Sequence, residues 1–134
     1  MTARDQKRLL DLFQLSTQIV TPVYRVRVLA ALWFGNRCIT VCSNSTRSHP
    51  FQKRYTDREQ RIFLHAETAV LKSGVRLLGG DALEYCTIYI ARAKVVDGRM
   101  APGTAKPCGG CQRALAEFRI KKCFFTTEKG LEVL

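Results

Sequence analysis

His65 and Glu67 stand two residues apart in IFLHAETAVLKSG, Ile62 to Gly74, at the head of an apolar run. Further along, KPCGGCQRALAEF, Lys106 to Phe118, sets Cys108 and Cys111 three positions apart at the start of a second apolar run. Imidazole nitrogen and thiolate sulfur are ligands that zinc takes readily. Two sulfurs at that spacing face one point across the first turn of a helix. The helix N-terminus carries about +0.5 charge, which favours thiolates. His65 can add a third ligand from a neighbouring helix. Three protein ligands leave a fourth position for water, the arrangement of a catalytic ion rather than a closed structural one. Glu67 lies close to such an ion but points elsewhere. A carboxylate there can take a proton from an activated water and return it to a substrate. Zinc lowers the pKa of bound water from 15.7 to about 7, and positioned proton transfer adds roughly 10²–10⁴ in rate.

Each piece alone has a plainer reading. His-Ala-Glu occurs by chance, and a CxxC at a helix start also suits a redox dithiol. A closed structural zinc site would draw a fourth ligand from Cys86, Cys123 or His49. The order of the two pieces, Pro107 before the cysteines, and the strand-like run between them favour the catalytic centre.

The surrounding pattern supplies elements to position these residues. Leu9, Leu12, Phe13, Leu15 and Ile19 recur at helical spacing, so Thr2 to Val20 is expected to be a helix. Thr2 with Asp5 reads as its capping box, and Pro22 ends it. VYRVRVLAALWF and RCITVCSN read as a hairpin turning on Gly35-Asn36. In its first strand Tyr24, Val26 and Val28 share one face, and Arg25 and Arg27 the other. Ser43 to Arg61 is expected to be a long basic loop, with Phe51 and Tyr55 among Arg47, Lys53, Arg54, Arg58 and Arg61. A helix over Phe63 to Ser73 follows, ended by Gly74. LEYCTIYIARA is expected to be a buried strand, VVDGRMAPGTAKP a loop, Cys108 to Phe118 a helix and IKKCFFTT a strand. LEVL then forms a short last strand beyond Glu128-Lys129-Gly130. The order is α-β-β-α-β-α-β-β, read as a single domain over residues 1–134. Cys38, Cys42, Cys86 and Cys123 fall in strand-like runs and read as small buried hydrophobes.

Bulk properties agree with a small core-forming chain. It has 134 residues, 46% of them hydrophobic. No run approaches the roughly 20 apolar residues that span a bilayer, and MTARDQKRLLDLFQ lacks a signal-peptide core. A cytoplasmic setting is therefore expected, in which cysteines serve as thiols or metal ligands. Twenty-two Lys and Arg against eleven Asp and Glu leave a net charge of +11, a surface that attracts polyanions or simply aids solubility.

Together the two blocks resemble the cytidine deaminase-like superfamily, whose mark is His-x-Glu followed by Pro-Cys-x-x-Cys. The resemblance implies a three-layer α/β/α fold, with a central mixed five-stranded sheet and helices on both faces. It implies one zinc ion per chain on His65, Cys108 and Cys111, with Glu67 as proton carrier. The reaction implied is hydrolytic attack on C4 of cytosine. Glu67 moves protons first to ring N3 and then to the departing ammonia, while backbone groups around Ala66 and near Pro107 hold the base edge. Family members generally form dimers or tetramers, so a homo-oligomer is expected.

PCGGCQRALAEF is similar to the free-nucleoside branch, and a closing antiparallel hairpin suits that branch too. HAE departs from its Cys-Ala-Glu and is similar instead to deoxycytidylate, RNA-editing and tRNA-editing members. The nucleoside branch also grips the sugar with an Asn in the first strand, where this chain offers Arg25 and Arg27. Its second grip, Glu-Asn-Ala, is replaced by SNSTRS, in which Asn44 is the best local substitute. Phe51 or Tyr55 either covers the base or anchors the loop to the core. The expected substrate is a cytosine nucleoside or nucleoside monophosphate, with the basic loop contacting a phosphate. The alternatives are a base within RNA, tRNA or single-stranded DNA, suggested by the charge and the interleaved aromatics, and a non-catalytic zinc module that binds nucleic acid.

Overall fold

Residues that alternate along three strands bury both faces of one sheet. Ala30, Leu32, Ile88, Ile90, Cys123 and Phe125 point to one side. Leu29, Ala31, Tyr89, Ala91 and Phe124 point to the other. The computed structural model describes residues 1–18, 27–44, 50–55 and 65–134, leaving aside the side chains of Arg27, Gln52 and Lys53. Along it run α1 (Ala3–Thr17), β1 (Arg27–Phe34), β2 (Arg37–Ser43), α2 (Pro50–Lys53) and α3 (Ala66–Leu78). A three-ten turn (Gly80–Tyr85) precedes β3 (Cys86–Val96), β4 (Arg99–Gly103), α4 (Gly109–Glu117), β5 (Lys122–Thr127) and β6 (Gly130–Val133).

The sheet order is β2-β1-β3-β5-β6, with β4 paired to β3. Among the described residues only β3 and β5 pair in parallel, and α4 forms the crossover between them. All other pairs are antiparallel, including the closing β5–β6 hairpin. Leu9 and Leu12 of α1 cover one face, while Val70 and Leu71 of α3 and Ala114 and Leu115 of α4 cover the other. This is a three-layer α/β/α arrangement on a mixed sheet.

The sheet has six strands where five were expected. The stretch read as a loop, VVDGRMAPGTAKP, folds back as β4 because Asp97 and Gly98 take φ of 52° and 76°, the pair of left-handed residues a type I′ hairpin turn requires. The first hairpin turns as expected, with Gly35 at φ 59°.

Helix ends follow local chemistry. Asp5 N donates to Thr2 Oγ1 at 3.1 Å and Thr2 N donates to Asp5 Oδ2 at 3.2 Å, closing the capping box. Such a cap contributes about 1 kcal/mol. Tyr89 on β3 also donates to Asp5 Oδ1 at 2.6 Å, tying α1 to the sheet. The helix closes at Thr17 with Gln18 as its C-cap, and Ile19, Val20 and Pro22 lie outside the described residues. Helix α3 runs through Gly74 rather than ending there, and stops at Gly79, whose φ is 86°. Gly74 serves packing instead: a Cβ there would lie 2.6 Å from Leu32 Cδ2 and 2.8 Å from Leu83 Cδ2. β3 starts at Cys86, because Leu83 to Tyr85 belong to the three-ten turn.

All six cysteines are free thiols. Cys86 and Cys123 are buried as expected, but Cys38 is exposed and Cys42 half-buried because β2 is an edge strand. Among the described residues no helix is long and apolar enough to cross a membrane.

Candidate metal centre and its cleft

The N-termini of α3 and α4 meet on the face of the sheet that carries both helices. His65 is the N-cap of α3 and Cys108 the N-cap of α4, and neither side chain makes a capping hydrogen bond. A Ser or Asp at either position would spend its oxygen on the backbone. Here the two side chains turn toward each other instead, with Nδ1 and Sγ 3.6 Å apart, and the positive ends of two helices face the same point. Backbone bonds fix each turn: Ala69 N donates to His65 O at 2.9 Å, and Gln112 N to Cys108 O at 2.8 Å. Gln112 Nε2 also donates to Pro107 O at 2.8 Å, holding the entry to α4.

Cys111 lies in the first turn of α4 and is fully buried. His65 Nδ1 lies 3.2 Å from Cys111 Sγ and 3.6 Å from Cys108 Sγ. The three ligand atoms all fall within 4.8 Å of one another. A tetrahedral zinc bound at about 2.3 Å by sulfur and 2.0–2.1 Å by nitrogen needs N···S separations of roughly 3.6 Å. The donor set therefore fits that ion in both chemistry and spacing. Among the described residues the cluster holds these three members only. Cys86 and Cys123 are not part of it, and His49 lies outside the described residues.

The electrostatics suit a cation. The Cys111 thiol donates to Cys108, which drops Cys108 to about 3 against the cost of burial, with His65 helping. Cys111 keeps its proton in exchange and is held above the ordinary thiol range by the Cys108 thiolate and by burial. A zinc ion takes cysteine as thiolate, so its binding displaces thiol protons here. Glu67, in the first turn of α3, is 6% exposed. Burial pushes its carboxyl up, opposed by its own backbone N–H, by His65 and by the Cys111 thiol.

A cleft of about 260 Å³ opens beside the cluster, with His65, Ala66, Glu67 and Cys108 along one side. Asn44, at the end of β2, lies on its wall, together with Val28, Arg92, Thr104, Ala105 and Lys106. Ala66 is thus brought to the cleft, and Pro107 sits between two lining residues with its carbonyl engaged by Gln112. Phe51 and Tyr55 are brought together elsewhere. Phe51 stacks on Phe118 of the α4 C-cap at 6.1 Å, Tyr55 lies 5.6 Å from Phe51, and neither lines the cleft. Burial and the Glu117 carboxylate push Tyr55 up to about 12. Here the two rings pack α2 and the turn after it against α4. Arg25 and the side chain of Arg27 lie outside what is described, as do Arg47, Arg58 and Arg61.

Arg92, Thr104, Ala105 and Lys106 were not singled out by the sequence. Arg92 did carry a signal, a cation amid the otherwise apolar IYIARA, and Lys106 stands directly before the Pro-Cys pair.

No curated protein gives a significant match to the chain. A family model described as the cytidine and deoxycytidylate deaminase zinc-binding region matches residues 5–127, from the capping box of α1 to the end of β5. The chain belongs to the cytidine and deoxycytidylate deaminase zinc-binding family.

Proposed function

We propose that this chain deaminates the cytosine base of a nucleoside or nucleoside monophosphate, consuming water, converting that base to uracil on the same sugar and releasing ammonia. In this reading His65, Cys108 and Cys111 hold the zinc ion and Glu67 carries the protons. The ion, when bound, supplies the Lewis acidity that makes hydroxide available near neutral pH. Glu67 accepts the proton of the attacking water, passes one to ring N3 and returns another to the departing ammonia. Its burial keeps that proton from exchanging with bulk solvent. Ala66 and the turn before Cys108 hold the base edge, and Asn44 holds the sugar.

The observation that carries this reading is the meeting of three zinc-type ligand atoms within 4.8 Å, beside a cleft that also contains Glu67. A closed structural site has no use for that carboxylate. The cleft, about 260 Å³, falls just below the roughly 300 Å³ at which ligand pockets begin and suits a small molecule. The charge of +11 supports a second reading, a base within a single strand. The two separate on ionic strength, since a strand loses affinity steeply with salt and a mononucleotide only shallowly.

Ammonia release from cytidine, deoxycytidine, their 5′-monophosphates, adenosine and short single strands tests the proposal. Turnover of at least one cytosine mononucleoside or mononucleotide is expected. Turnover of adenosine or of strands alone would overturn it.

A further inference from the structure

We propose that Arg92 and Lys106 form an anion subsite in this cleft and make the substrate a cytosine nucleoside 5′-monophosphate rather than a free nucleoside. The inference rests on the deaminase reading of the same cleft and goes further by choosing the substrate and naming the residues that choose it.

Arg92 sits on the C-terminal half of β3, on the α3 and α4 side with Ile88 and Ile90, and lines the cleft that holds Glu67. Its Nε is buried without a hydrogen-bond partner among the described residues. A buried N–H left unmet is costly, and an incoming anion removes that cost. Nη1 donates to Thr104 O at 3.4 Å, a weak contact that an oxyanion can readily replace.

The surroundings are shaped to hold this side chain. Arg92 pairs across the hairpin with Gly103, where a Cβ would lie 3.1 Å from Arg92 Cδ and 3.3 Å from Nε. Glycine at that position therefore makes room for the Arg92 shaft. Thr126, fully buried, accepts from Arg92 N at 3.0 Å and donates to Gly103 O at 2.8 Å, locking both strands to β5. Among the described residues no carboxylate forms an ion pair with Arg92 or Lys106. Glu128, on the turn after β5, is hydrogen-bonded by Lys94 and feels Arg92 only at longer range. Among the described residues Glu67 is the single carboxylate lining the cleft, alongside Arg92 and Lys106. Guanidinium matches phosphate oxygens in a bidentate fork, and an exposed ammonium adds a mobile point charge.

The test measures kcat/KM for deoxycytidine and cytidine against their 5′-monophosphates, in the zinc-loaded protein and in Arg92→Gln and Lys106→Ala. The wild type is expected to favour the monophosphate. Arg92→Gln should reduce that preference by about ten- to hundredfold, chiefly through KM, and Lys106→Ala by a few-fold. Calorimetric binding of the product pair, uridine and uridine 5′-monophosphate, should show the same loss without reference to turnover. Equal treatment of nucleoside and monophosphate by the wild type overturns the subsite, as does a preference that survives both substitutions. A short oligonucleotide preferred over the monophosphate overturns it in favour of a strand. Failure to turn over any cytosine compound would instead sink the deaminase reading, while the calorimetric comparison still decides whether the cleft selects phosphate.

Discussion

At the scale of single residues, the site turns on which cysteines reach it. Cys108 and Cys111 come to His65 because the first turn of α4 puts both sulfurs on one side. Cys123 is equally buried but stands outside the cluster. This separates the open centre from a four-ligand scaffold. Cys111→Ala is expected to lower zinc affinity on the order of a hundredfold or more, with a lower unfolding temperature, because metal binding and folding are coupled. Cys123→Ala should keep one zinc per chain. Metal analysis of the two purified variants checks this, and zinc loss from Cys123→Ala would contradict the three-ligand assignment. The ligand types and Glu67 were legible in the sequence because coordination chemistry restricts residue type and spacing. Arg92 was not, because its importance comes from pairing with Gly103 across a hairpin, a contact that no local pattern encodes.

At the scale of elements, caps and turns were read well and glycines less so. Thr2 with Asp5 forms the capping box, and Gly35-Asn36 turns the first hairpin. Asp97-Gly98 carried an equally strong hairpin signal, yet Pro102 and the neighbouring glycines suggested a loop. Pro102 is tolerated because β4 pairs only with β3 and is an edge strand. Gly74 looked like a helix stop, but it sits mid-helix where α3 packs closest to Leu32 and Leu83. Gly74→Ala sets two effects against each other. Helix propensity gains about 1 kcal/mol, while displacing two fully buried leucines costs about 1–3 kcal/mol. A net loss of about 1 kcal/mol is expected, lowering the thermal midpoint by roughly 2–4 °C. A higher midpoint would show that the leucines move freely and that the close approach is not limiting.

At the scale of the whole molecule, the fold class was legible through the family that the two motif blocks resemble, and the near-continuous apolar runs of β1, β3 and β5 show why it holds: both faces of the sheet are buried. The closing antiparallel hairpin forms as the sequence led one to expect. The substrate was not legible from overall charge, since +11 describes a surface and the cleft selects with a few side chains. The sheet's part is to hold two helix N-termini together, so that ligands distant in the chain converge beside one buried carboxylate. The most direct test of that account is Glu67→Gln, measured for zinc content and for cytosine mononucleotide turnover on the same preparation. One zinc per chain should remain while kcat falls by about 10²–10⁴. Full turnover in a zinc-loaded Glu67→Gln protein would contradict the account.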